Sequence, residues 1–112
     1  MKLVIRTRHV TLDPELRAVV TRRLHFTLSR HALAIEQVDV TLGDVNGPKG
    51  GVDKVCRIRL RGPGLPTLIV EEAAADLRTA VDSAAARLGR TLQRLSREAE
   101  RRRRQGFPPC PL

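Results

Sequence analysis

Apolar positions recur along this chain with two different periods, and the switches between them mark out the elements. From Lys2 to His9 the residues alternate, with Leu3 and Ile5 on one face and Lys2, Val4, Arg6 and Arg8 on the other, which predicts a strand. Leu16, Val20 and Leu24 then recur at helical spacing, with Val19 and Phe26 on one flank and Arg17, Arg22, Arg23 and Arg30 around the remainder. Asp13 stands as N-cap, Pro14 at the first helical position and Glu15 in the first turn, so a helix starts there and should stop near Ser29–His31. Gln37 to Asp44 alternates again, Val38, Val40 and Leu42 inward and Asp39 and Thr41 outward. The glycines and proline of Asn46 to Gly51 make a loop, because they cannot continue a ladder. Lys54 to Arg61 is a third strand, with Cys56, Ile58 and Leu60 inward and Arg57, Arg59 and Arg61 outward. Gly62-Pro63-Gly64 turns the chain, and Leu68 to Glu71 is a short fourth strand whose facing the pattern leaves open. Ala73 to Arg104 reads as one helix of roughly 40 Å or more, its last turns running beyond the sheet. The order β-α-β-β-β-α predicts an α+β fold, a four-stranded sheet with two helices packed on one face and the other face open. Residues 1–105 are expected to form one domain and 106–112 a flexible tail.

The long helix carries two surfaces. With Leu88 as origin and about 100° per residue, Leu77, Val81, Ala84, Leu92, Leu95 and Ala99 fall within about 40° of it. Arg87, Arg90, Arg94, Arg97, Arg101 and Arg104 cluster roughly 100–200° away. Their steps of three and four residues set neighbours about 5–6 Å apart, a spacing suited to successive phosphates. From Arg87 to Arg104 eight arginines face only Glu98 and Glu100, so this segment holds +6 of the formal +9 of the chain. A solvating helix interleaves both signs; like charges one turn apart repel by a few tenths of a kcal/mol, which an anionic partner would relieve.

Composition narrows what that partner is. With 112 residues and 41% hydrophobic content there is one core, made of Leu, Val, Ile and Ala. Phe26 and Phe107 are the only aromatics, so the chain can do little of the base stacking on which single-stranded readers such as the RRM depend, and an RRM-like role is disfavoured. No apolar run spans a bilayer and no signal-peptide pattern opens the chain, so a cytoplasmic protein is expected. Cys56 and Cys110 sit in unlike contexts that argue against a disulfide, and Cys56 reads as a buried small hydrophobe. His9, His25 and His31 lack zinc-ligand spacing, and Glu71, Glu72 and Asp76 before the long helix read as caps and dipole partners. No nucleophile–base set stands out, so neither an enzyme nor a cofactor or metal protein is expected.

Three stretches carry a resemblance to a known family. They are Arg8-His9-Val10 followed by Asp13-Pro14-Glu15-Leu16-Arg17; the block from Asp44 through Asn46-Gly47-Pro48-Lys49-Gly50-Gly51 to Ile58; and Asp76 to Asp82 followed by Arg87 to Arg94. Together they resemble the ribosome hibernation-promoting factors, also called sigma-54 modulation or ribosome-associated inhibitor proteins, in their short stand-alone form, over about residues 1–105. The middle block is the most specific of the three. The resemblance implies the same β-α-β-β-β-α fold. It also implies a bacterial protein that binds the small ribosomal subunit in the messenger and transfer-RNA channel and blocks translation in resting or stressed cells. Positions matching Arg87, Arg90 and Arg94 are those pressed on ribosomal RNA, while Arg78 departs from the aromatic often found there. The long members' extra C-terminal domain, which pairs ribosomes, is not expected in this chain.

The expected RNA-binding set is Arg87, Arg90, Arg94, Arg97 and Arg101 on the long helix, Arg22 and Arg23 on the first helix, and Lys49 at the loop tip. Arg6, Arg8, Arg57, Arg59 and Arg61 on the open face either form a second basic surface or pair with Asp39 or Glu71. The alternatives are a double-stranded-RNA-binding module and a basic protein-interaction domain not tied to the ribosome. A membrane-surface role is disfavoured because the arginine face has no Trp, Phe or Leu beside its bases. The free protein is expected to be a monomer, with no small-molecule substrate.

Overall fold

The computed structural model describes residues 1–45 and 53–104. The elements are β1 (Lys2–Arg8), α1 (Pro14–Leu28), a 3-10 turn (Ser29–Ala34), β2 (Gln37–Asp44), β3 (Lys54–Arg61), β4 (Leu68–Ala74) and α2 (Leu77–Arg104). The strands lie in the order β1-β2-β3-β4; β1 and β2 are parallel, and the other two pairs antiparallel. A parallel pair needs a crossover, which α1 supplies. This is the α+β fold that the pattern predicts.

The alternation along each strand decides the layers. Ile5, Val40, Ile58 and Val70 stand in register across the sheet, and Leu3, Val38, Leu60 and Leu68 form the neighbouring row. Both rows turn to one side, where Val20, Leu24 and Leu28 of α1 and Val81, Ala84, Ala85, Leu88 and Leu92 of α2 complete a single core. α2 lies over β3 and β4, with α1 alongside it. Burying each leucine in such a core is worth about 1.5–3 kcal/mol. Cys56 is fully buried, and burial pushes its thiol up to about 12, so it acts as a small hydrophobe.

Local chemistry sets the helix starts. Leu16 N–H donates to Asp13 Oδ1 at 2.7 Å, and Pro14 opens α1. His9, in the left-handed region at φ 61°, turns the chain from β1 toward it. The helix closes at Leu28, and the helical path continues as the 3-10 turn to Ala34. Phe26, expected on the apolar flank of this helix, is instead 76% exposed. The second helix begins four residues later than the alanine-rich sequence suggests. Pairing with β3 keeps the chain extended, setting Ala73 opposite Val55 and Ala74 opposite Lys54, so β4 runs on past Glu71 to Ala74. Leu92 is the last fully covered residue of the apolar stripe; Leu95 is half-buried and Ala99 exposed.

Asp76 caps α2, accepting from Thr79 N–H at 2.8 Å and from the Thr79 hydroxyl at 3.0 Å. These bonds, the backbone one first, hold its carboxyl below the ordinary 3.8. A carboxylate held low in the fold stabilises it above its unfolded pKa and loses that contribution as pH falls through the folded value. Asp76→Asn keeps an acceptor but not the titration. Its melting temperature is therefore expected to fall less than that of the wild type between neutral pH and pH about 3; parallel acid limbs in thermal scans would refute the assignment. The loop at 46–51 and the tail at 106–112 lie outside the described residues.

Candidate nucleic-acid interface

α1 and α2 approach closely where Gly89 faces Thr27: a Cβ on Gly89 would lie 3.0 Å from Thr27 Cγ2. Beside this contact the two helices part into a groove of about 890 Å³ lined by Arg23, Arg30, His31, Arg90 and Arg97, with polar Gln93 and Ser96 on its α2 wall. None of the described acidic residues lines it. Arg30, Arg90 and Arg97 are exposed, and among the described residues none of the three is in an ion pair. Arginine suits such a site because its fork bridges phosphate oxygens and stays charged at any physiological pH.

The predicted ladder divides into two rows. Arg90 and Arg97, seven residues and so about 10.5 Å apart along the axis, border the groove, while Arg87, Arg94 and Arg101 keep the same spacing on the outer side of α2. Arg94 and Arg101 are exposed. Arg87 differs: its Nη1 donates to Glu72 Oε2 at 2.8 Å. Glu72, read from sequence as a cap or dipole partner, is a strand residue turned toward the helices, in register with inward-facing Cys56. It neutralises the first member of the ladder.

Arg22 is exposed, and with Arg23 it lines a smaller hollow on the other side of Phe26. Arg23 is half-buried, with Nε 3.4 Å from Asp82 Oδ1 but without a hydrogen bond to it. Proximity without alignment makes this a weak pair. Lys49 lies outside the described residues. Lys54 at the base of the same hairpin is engaged within the chain, its Nζ 3.1 Å from Asp53 Oδ1 and 3.2 Å from Asp44 Oδ2, and the bond to Asp53 before that to Asp44 holds its ammonium above the ordinary range.

On the open face the register sets Arg59 opposite Asp39 and Arg57 opposite Glu71. Among the described residues, however, no ion pair joins Arg6, Arg8, Arg57 or Arg59 to an acid. Asp39 accepts from Gln37 Nε2 at 2.8 Å instead, and Arg61 donates to Gln37 Oε1 at 3.0 Å and lies 3.8 Å from Glu36. This second basic surface looks away from the helices. No group of three metal-ligating side chains occurs among the described residues, and no helix there is long and apolar enough to cross a membrane.

The profile of the Sigma 54 modulation protein / S30EA ribosomal protein family matches residues 3–100. A ribosomal subunit interface protein from Coxiella burnetii shares the fold with a TM-score of 0.70 at 18% identity, covering 86% of this chain and 98% of that one. The N-terminal domain of Thermus thermophilus Protein Y does so with a TM-score of 0.70 at 24% identity, covering 85% of this chain and 99% of that one. No curated protein matches the chain in sequence.

Proposed function

Because the chain belongs to the Sigma 54 modulation protein / S30EA ribosomal protein family, we propose that it binds small-subunit ribosomal RNA in the messenger and transfer-RNA channel and holds translation off under stress. The family is one of ribosome-associated proteins rather than an enzyme class. The observation that carries the RNA reading is the acid-free groove between α1 and α2, where Arg23, Arg30, Arg90 and Arg97 converge. Arg94 and Arg101 extend the same field along the outer side of α2, Arg22 adds to it from α1, and Arg87 reinforces it only where RNA displaces Glu72. Contacts of this kind read the phosphate backbone rather than sequence, which suits a plug for a channel of fixed shape.

Salt dependence measures the contact directly. Four phosphate contacts on single-stranded RNA predict a slope of about −2.8 in log K against log salt, a loss of roughly 50-fold between 50 and 200 mM. Pelleting the purified protein with small subunits across that range checks it, and excess transfer RNA is expected to displace the bound protein. A flat salt response, or protein left at the top of the gradient at low salt, would remove the groove as the RNA site. Displacement by duplex RNA but not by transfer RNA would instead favour a duplex-binding module.

A further inference from the structure

Phe26 has no place in the core, although Val20, Leu24 and Leu28 of the same helix are completely buried. It stands 76% exposed at the divide between two hollows. On one side lies the arginine groove, free of acids. On the other lies a hollow of about 330 Å³ walled by Val19 and bordered by Arg22, Arg23, Arg78 and Asp82. Guanidiniums border both hollows and outnumber the Asp82 carboxylate in the second, so backbone phosphates are attracted beside the ring, most strongly on its acid-free side, while a neutral base meets an apolar surface at Phe26. An exposed ring among guanidiniums is the arrangement by which proteins grip unpaired nucleotides: the charges track the backbone and the ring takes a base face.

We propose that Phe26 is a stacking platform for one unpaired nucleobase of RNA whose flanking phosphates lie in the α1–α2 groove. The proposal rests on the RNA reading of that groove and adds to it a preference for unpaired over duplex RNA. In the interior of a duplex both faces of each base are already stacked, so the ring has nothing to accept there, and a duplex long relative to the site offers it few free ends. One platform, rather than a series, fits a chain whose other aromatic is Phe107.

The chain contains no Trp and no Tyr, so Phe26→Trp creates a single fluorescent reporter. A single-stranded oligoadenylate of about 12 nucleotides is expected to quench its emission, whereas an RNA duplex bound to the same extent leaves the emission unchanged. Phe26→Ala is expected to weaken binding of the single strand about tenfold without changing duplex binding, and Phe26→Trp to restore it. The side chain is exposed, so the variants should melt with the wild type. Three results would overturn the platform: wild-type affinity in Phe26→Ala, indole emission from Phe26→Trp that stays unquenched at saturation, or a wild type that ignores the oligomer at low salt. The double variant Arg90→Glu/Arg97→Glu separates the two claims. If it loses small subunits while Phe26→Ala keeps wild-type affinity for the single strand, only the stack fails; if it keeps them, the groove reading fails first.

Discussion

Arg90→Glu/Arg97→Glu is expected to abolish co-sedimentation with small ribosomal subunits while leaving the protein folded. A hydrogen bond to a charged group contributes about 1.5–3 kcal/mol, so losing two removes roughly 3–6 kcal/mol before the new repulsion is counted. The affinity should therefore fall at least about 100-fold. The fold should not suffer, because both side chains are exposed and among the described residues neither is in an ion pair. Arg87→Gln is the informative contrast. Arg87 already has Glu72 at 2.8 Å, so RNA gains from it only by displacing a carboxylate. Its loss is expected to weaken binding less than fivefold or so, well short of Arg90→Gln. Pelleting assays on the three variants at fixed salt decide the matter. A double variant within threefold of wild type would show that the groove is not the contact, and equal losses for Arg87→Gln and Arg90→Gln would show that the two rows are not distinct.

The strands were legible because their inward residues obey a strict alternation: Val38, Val40 and Leu42, then Cys56, Ile58 and Leu60, are all completely buried. The first cap was legible too, since Asp13 and Pro14 act within a few residues of chain. What escaped the sequence depends on partners distant along it. Ala73 and Ala74 favour a helix by propensity, but hydrogen bonding to β3 holds them extended. That extension carries Glu72 to the helix-facing side, and so to Arg87. The ladder looked like one surface because helical periodicity fixes angles around a single cylinder. Which of those angles opens on a groove is decided by where α1 lies, and that follows from the Gly89–Thr27 approach. Phe26 could not be placed for the same reason: a ring on the flank of an amphipathic helix is covered only if a neighbour reaches it.

The two glycines of the Gly62-Pro63-Gly64 turn should separate sharply when each is replaced by alanine. At Gly62 a Cβ would lie 2.0 Å from the Ala34 carbonyl oxygen and 3.1 Å from Ile35 Cα, both of them backbone atoms that no side-chain rotation can move aside. The clash falls where the 3-10 turn ends and β2 begins, beside the bond from Glu36 N–H to the Arg61 carbonyl at 2.9 Å. Relief requires shifting one of two packed segments of backbone, and overpacking of this kind costs about 3 kcal/mol or more. Gly64 presents the opposite case. Nothing lies within 4 Å of its Cβ position, but its φ of +75° is left-handed, so alanine there incurs conformational strain alone, about 1–2 kcal/mol. In a domain of this size 1 kcal/mol shifts the melting temperature by about 4–8 °C. Gly62→Ala is therefore expected to melt at least 10 °C or so below the wild type, or not to fold, and Gly64→Ala to lose about half as much or less. Thermal unfolding of the two variants in one buffer tests the pair. A Gly62→Ala protein that melts with the wild type would mean that β3 and the 3-10 turn are not held in contact at this point.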